Sequence, residues 1–147
     1  LNTDPMGKKR IIEKTDGVAA EAVVAPVKTP KARVTTGILY VQSTYNNTKV
    51  TVTDSKGNTL FWSSSGSIGF KGAKKGTPFA AAKVAELLAD KAIDLGIKEV
   101  DVVIKGVGSG RESSVRAFSS KGIGISGIRD VTPVPHNGPR PKKPRRV

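Results

Sequence analysis

Not one cysteine occurs in the 147 residues, which excludes a disulfide framework and any thiolate metal site and fits a reducing compartment. The one histidine, His136, has no cysteine partner, so neither a zinc site nor a Ser/His/Asp triad assembles around it. Aromatic residues are scarce at 5%, and the core of a domain this size must be built from Val, Ile, Leu and Ala. Such a core is thin and gains from outside support. No apolar run approaches the ~20 residues of a membrane span. An Ala/Val-rich stretch over residues 18–27 follows Lys8, Lys9 and Arg10 as in a secretory signal, but Glu13, Asp16 and Glu21 interrupt the pattern. The cytoplasm is the expected location.

Acidic residues are also few, 12 against 25 Lys and Arg, giving a net charge of +13. A polyanionic partner is what that balance implies. The excess is concentrated late in the chain, where residues 111–147 hold nine cations and two acids.

Residues 1–35 mix Lys, Glu, Pro, Ala and Val without helical or strand periodicity and are expected to be a disordered extension. From Gly37 the pattern turns regular. Residues 38–44 alternate, Tyr45-Asn46-Asn47-Thr48 supplies a turn, and Val50 and Val52 alternate with Thr51 and Thr53, which together predict a hairpin. Residues 54–58 form a second turn before a third strand at Leu60, Phe61 and Trp62. Thr77 as N-cap, Pro78 at the first helical position and apolar residues at helical spacing from Ala81 to Leu95 predict a helix that Gly96 stops. Val100, Val102, Val103 and Ile104 read as a strand buried on both faces between parallel neighbours. Ser109 and Glu112 have the spacing of a capping box for a second helix ending near Gly122, and residues 123–131 read as a last strand. The order β-β-β-α-β-α-β implies an α/β fold with a mixed five-stranded sheet and two helices over residues 36–132. Residues 133–147, PVPHNGPRPKKPRRV, form a basic tail whose prolines exclude packed structure.

Two glycine-rich segments carry candidate chemistry. Residues 63–76, SSSGSIGFKGAKKG, join a strand to a helix and set Lys71, Lys74 and Lys75 among glycines that let backbone N–H groups approach phosphate. The segment lacks the Gly-Lys-Ser/Thr of a nucleotide P-loop; its alternative is a flexible solvated loop, and the helix N-terminus after Thr77 favours phosphate. Gly106-Val107-Gly108-Ser109-Gly110-Arg111 resembles a dinucleotide fingerprint, but Arg111 stands where its third glycine belongs. A tight turn at a helix start with Arg111 and Arg116 beside it remains a candidate anion site. Glu86, Asp90 and Asp94 recur every four residues and read as a solvated helix face pointing away from RNA rather than a metal cluster. Trp62, Phe61 and Phe70 have the chemistry to stack on bases, yet Phe61 and Trp62 read as packing residues on adjacent strand faces.

Three long runs, VTDSKGNTLFWSSSGSIGFKGAKKGTPFAAAKVAE, VVIKGVGSGRESSVRAFSSKGI and IRDVTPVPHNGPRPKKPRRV, closely resemble the bacterial-type family of the eleventh protein of the small ribosomal subunit. The resemblance covers residues 36–147. It implies a ribonuclease-H-like topology without nuclease activity and a place on the platform of the 30S subunit. There the protein would bridge 16S rRNA helices near the mRNA exit and the Shine-Dalgarno cleft, beside proteins seven and eighteen of that subunit. The expected rRNA contacts are Lys71, Lys74, Lys75, Gly108, Ser109, Gly110, Arg111, Arg116, Arg129, His136, Asn137, Arg140, Lys142, Lys143, Arg145 and Arg146. No cofactor, metal, membrane or small-molecule substrate is expected, and the expected location is the ribosome of the cytoplasm, with an organelle ribosome left open as the alternative. Three positions depart from the family pattern: Val107 for the proline of its GPGSGRE motif, Gly76 for a polar residue, and Pro139 where cysteine is common. They are expected to loosen the anion turn, leave the lysine loop more mobile and stiffen the tail.

Two rivals from other classes are a nuclease of the same fold and a general DNA-binding protein. The nuclease needs carboxylates converging on two metal ions, and Asp54, Glu99, Asp101 and the helix-face acids offer no such convergence. Charge alone permits the DNA-binding protein.

Overall fold

The computed structural model describes residues 34–143. The expectation of a disordered extension therefore falls, up to residue 33, outside the described residues, as do Arg145 and Arg146. Within them the elements follow as β1 (Thr36–Ser43), β2 (Thr48–Asp54), β3 (Thr59–Ser64), a short 3₁₀ turn (Gly72–Gly76), α1 (Pro78–Leu95), β4 (Glu99–Gly106), α2 (Gly110–Ser120) and β5 (Gly124–Asp130). This is the order read from the sequence, with the 3₁₀ turn added inside the lysine loop.

The strands form one mixed sheet in the order β3-β2-β1-β4-β5. β2 runs antiparallel to both β1 and β3, while β1, β4 and β5 are parallel. That arrangement is compatible with the ribonuclease-H-like topology implied by the resemblance. Asp54 closes the β2–β3 turn, its Oδ1 accepting from the N–H groups of Lys56 and Asn58, each at 2.9 Å. Val34 packs against the core, and Thr35 O accepts from Lys98 N–H at 2.9 Å, so the start of the described chain is already tied to the sheet.

Helix α1 begins as its sequence requires. Thr77 Oγ1 accepts from Ala80 N–H at 3.3 Å and Pro78 takes the first helical position, where its missing N–H costs nothing. It ends at Gly96, whose φ of 91° is the left-handed conformation that suits glycine. Ala80, Ala81, Ala85, Ala89 and Ala92 are buried, and their small side chains let α1 lie close to both α2 and the sheet.

The core is one cluster between the sheet and the two helices. Leu39, Val41, Val50, Val52, Val100, Val102 and Ile104 come from the strands, and Val84, Leu88, Val115 and Phe118 from the helices. With both helices on one face, the other face of the sheet is left open. The expectation that β4 is buried on both faces is therefore corrected: Val100, Val102 and Ile104 are buried, Asp101 and Lys105 are exposed, and Val103 is half-buried. An unbroken apolar run looked two-sided because Val103 supplies an apolar residue to the open face. Trp62 is a second correction, being 56% exposed on β3 while its neighbour Phe61 packs inward.

Candidate nucleic-acid interface

Because β1, β3, β4 and β5 all run the same way, their carboxyl ends meet at one end of the sheet. The β1–β2 turn, the lysine loop, the glycine-rich turn and the tail all emerge there. Hydrogen bonds knit these segments together. Gly108 N–H donates to Ser43 O at 3.1 Å, Ser65 N–H to Thr48 O at 3.0 Å, Val131 N–H to Ile104 O at 2.9 Å, and Gly106 N–H to Thr132 Oγ1 at 3.1 Å. Ser109 Oγ donates to Gly76 O at 2.9 Å and so joins the two glycine-rich segments.

That last bond corrects the capping box. Ser109 does precede α2, but its side chain makes no cap bond and its backbone is helical, with φ −70° and ψ −12°. The hydroxyl is spent on the lysine loop instead, a long-range partner that local spacing cannot reveal. The glycines here are demanded by close approach. A Cβ at position 108 would stand 2.3 Å from Thr44 O, and one at 110 would stand 2.3 Å from Thr48 Oγ1 and 2.7 Å from Ala81 Cβ. At Gly76 it would stand 2.1 Å from Tyr45 O, so glycine at this position brings the lysine loop against the β1–β2 turn rather than loosening it.

The cations divide into engaged and unengaged. Arg111 is engaged: its guanidinium donates to Asp130 Oδ2, to Gly106 O and to Thr132 Oγ1, and its side chain is 29% exposed. The hydroxyl and N–H of Thr132, followed by the Arg111 guanidinium, hold the Asp130 carboxyl at about 2, well below 3.8. Arg111 thus staples the root of the tail to the glycine-rich turn. Lys71 and Lys74 are exposed and Lys75 is half-buried around the 3₁₀ turn, and Arg116 is exposed on α2. Arg140, Lys142 and Lys143 are exposed on the tail, where His136 Nδ1 lies 3.0 Å from Val134 O and Asn137 has φ 56°. Arg129 lies on the edge strand β5, paired with Val103 on the open face. Apart from Arg111, none of these cations pairs with an acid among the described residues.

Asp130 and Glu112, the latter in the first turn of α2, are acids at this end, and those of α1 lie elsewhere. Glu86 pairs with Lys83 at 2.8 Å and Asp90 with Lys121 at 2.9 Å, both on helix surfaces. Asp94 lies about 24 Å from Pro78 along the helix axis, at 1.5 Å per residue. No group of three or more His, Asp or Glu that could hold a metal ion occurs among the described residues. The Arg111–Asp130–Thr132 network was missed in the sequence, although an Asp two residues before a Thr at a strand end is the signal for such a turn.

A sheet domain whose loops gather unpaired Lys and Arg at one end has the charge distribution of a nucleic-acid-binding protein. The sequence profile of the family described as Ribosomal protein S11 matches residues 37–146. The chain belongs to that family of ribosomal proteins. It is 52% identical over 132 residues to small ribosomal subunit protein uS11 of Solibacter usitatus (strain Ellin6076), covering 84% of this chain and 98% of that protein. It is 54% identical to uS11c of Mesostigma viride over 121 residues, covering 82% and 93%, and 54% identical to uS11 of Rippkaea orientalis (strain PCC 8801 / RF-1) over 120 residues, covering 82% and 92%.

Proposed function

We propose that the protein is a structural component of the small ribosomal subunit that holds 16S rRNA through the loop end of its sheet and through its tail. Residues 36–132 serve as the rRNA-binding domain and residues 133–147 as a basic strap. The observation that carries this reading is the convergence of the lysine loop, the glycine-rich turn and the tail at one end of the sheet, with the α1 acids running away from it. Lys71, Lys74, Lys75, Arg116, Arg140, Lys142 and Lys143 act there as phosphate contacts, and Arg129, His136, Asn137, Arg145 and Arg146 extend the surface. Backbone N–H groups of Ser109 and Gly110 lie at the start of α2, where the helix dipole favours anions, while that of Gly108 is taken by Ser43 O and fixes the turn. Arg111 holds the tail in place and adds positive potential.

The family resemblance extends the reading to the platform, near the mRNA exit and the Shine-Dalgarno cleft, beside proteins seven and eighteen, in ribosomes of the cytoplasm. The part played in translation is to hold several rRNA helices together. A footprint of the protein on small-subunit rRNA tests this. Protection should fall on several separate helices of the platform; protection of one hairpin alone, or none, would overturn the bridging role.

A further inference from the structure

The open face of the sheet carries aromatic and cationic side chains that the phosphate-binding loops do not use. The register places Trp62 opposite Thr51, Thr51 opposite Tyr40, Tyr40 opposite Val103 and Val103 opposite Arg129, one continuous row across all five strands. The next row toward the loop end is Ser64, Lys49, Gln42 and Lys105. Trp62 is 56% exposed and Tyr40 40% exposed, and Lys49 Nζ lies 5.0 Å from the centroid of the Trp62 ring. At about 4.8 Å between strands, the two aromatic positions are about 10 Å apart.

We propose that this face is a stacking platform for unpaired RNA bases, with Trp62 and Tyr40 as the stacking surfaces and Lys49, Lys105 and Arg129 holding the backbone that runs over them. The proposal rests on the RNA-binding reading above and names a second surface for it. Charge complementarity chooses the occupant: Lys49 lies over the Trp62 ring, Lys105 stands diagonal to Tyr40 and Arg129 ends its row, so cations outnumber acids on this face. Asp101, diagonal to Tyr40 on the other side, accepts a hydrogen bond from Ser126 Oγ, and Glu99 lies one step further off. A protein partner would call for a contiguous apolar patch, but here Thr51 separates the two rings and Ile38 and Val103 are half-buried. A π-face is what any base offers, and an aromatic ring on a strand takes it without reading sequence. The platform also continues into the loop end, since Ser64 leads directly into the lysine loop and Lys105 into the glycine-rich turn.

Trp62 is the single tryptophan of the chain, so its emission reports on this face alone. The full-length protein is titrated with a short unstructured RNA and with the same sequence as a duplex, while binding is followed independently by anisotropy of a labelled strand. Single-stranded RNA should quench Trp62 in step with binding, and the duplex should bind with little quenching because its bases are already stacked. Tyr40→Leu should weaken single-strand binding by about 5- to 150-fold, the equivalent of ~1–3 kcal/mol for one lost stack, and leave duplex binding within about twofold. Circular dichroism of the variant checks that the fold is kept. Saturating single-strand binding with unchanged Trp62 emission, or a folded Tyr40→Leu protein of undiminished single-strand affinity, would overturn the platform. So would a Trp62 response to small-subunit proteins but not to RNA. Anisotropy that shows no binding of either RNA would instead refute the RNA-binding reading itself.

Discussion

Gly110→Ala sets two effects of opposite sign against each other. The residue opens α2 without a positive φ, so alanine should gain helix propensity, worth up to about 1 kcal/mol. The added Cβ, however, would stand 2.3 Å from Thr48 Oγ1, 2.7 Å from Ala81 Cβ and 3.1 Å from Ser43 Oγ. Carbon atoms pack at about 3.5–4.0 Å, so α2 has to move by about 1 Å away from both α1 and the β1–β2 hairpin. Overpacking of this kind costs about 1–3 kcal/mol, and two rigid neighbours on different elements place it at the upper end. Sterics therefore win by about 2 kcal/mol, which lowers Tm by roughly 6–12 °C for a domain near this size. The assay is thermal unfolding by circular dichroism, with Gly66→Ala as the comparison, because a Cβ there would meet Lys75 Cδ at an ordinary 3.6 Å. Equal melting temperatures for the two variants would refute the close-packing argument and return the glycine to a backbone-to-phosphate role.

Acid should weaken the fold through Asp130 and Asp54. Asp130 is held at about 2 by Thr132 and Arg111, so its stabilisation is present above 3.8 and is lost as pH falls toward 2; Asp54, lowered by Asn58, contributes with the same sign. Asp130→Asn should flatten that acid limb in unfolding curves measured against pH, and an unaltered limb would refute it. Replacing Lys71, Lys74 and Lys75 together by Gln should weaken binding to many RNAs alike, since ammonium groups on a glycine-rich loop supply charge without fixed geometry; a loss confined to one RNA sequence would show base reading. Removing residues 139–147, which hold five cations, should lower the slope of log K against log salt by at most about 3.5–4.5, at ~0.7–0.9 per contact; an unchanged slope would mean that the tail meets no phosphate. Asn137-Gly138 is exposed with Asn137 at φ 56°, and glycine leaves the next N–H free to attack the amide, so aged free protein should contain isoaspartate there by peptide mapping. Its absence would refute that route.

The element order was legible because each boundary carries its own local chemistry: Thr77-Pro78 at the start of α1, Gly96 at its end, and the Asp54–Asn58 turn between strands. What sequence could not supply is which distant segment a polar group finds. Ser109 has cap spacing but bonds Gly76, thirty-three positions away, and Arg111 looks like a free cation until Asp130 is seen against it. Burial of a strand's second face is equally non-local. Nothing within β4 says that both helices will pack on one side, so Val103 misled, and Trp62 was assigned to packing for the same reason. The lysine loop and the tail were legible as charge, but their meeting at one end of the sheet follows from strand direction, which only the paired register establishes.

The absence of cysteine permits a direct test of which end of the molecule faces RNA. Single cysteines introduced as Ala73→Cys in the lysine loop, Lys142→Cys in the tail and Asp94→Cys near the far end of α1 each carry a tethered hydroxyl-radical source in reconstituted small subunits. Strong, localised cuts in 16S rRNA should come from positions 73 and 142, with few or none from 94. Cutting that is as strong from 94 as from 73, or stronger, would contradict the assignment of the loop end of the sheet as the RNA-holding surface.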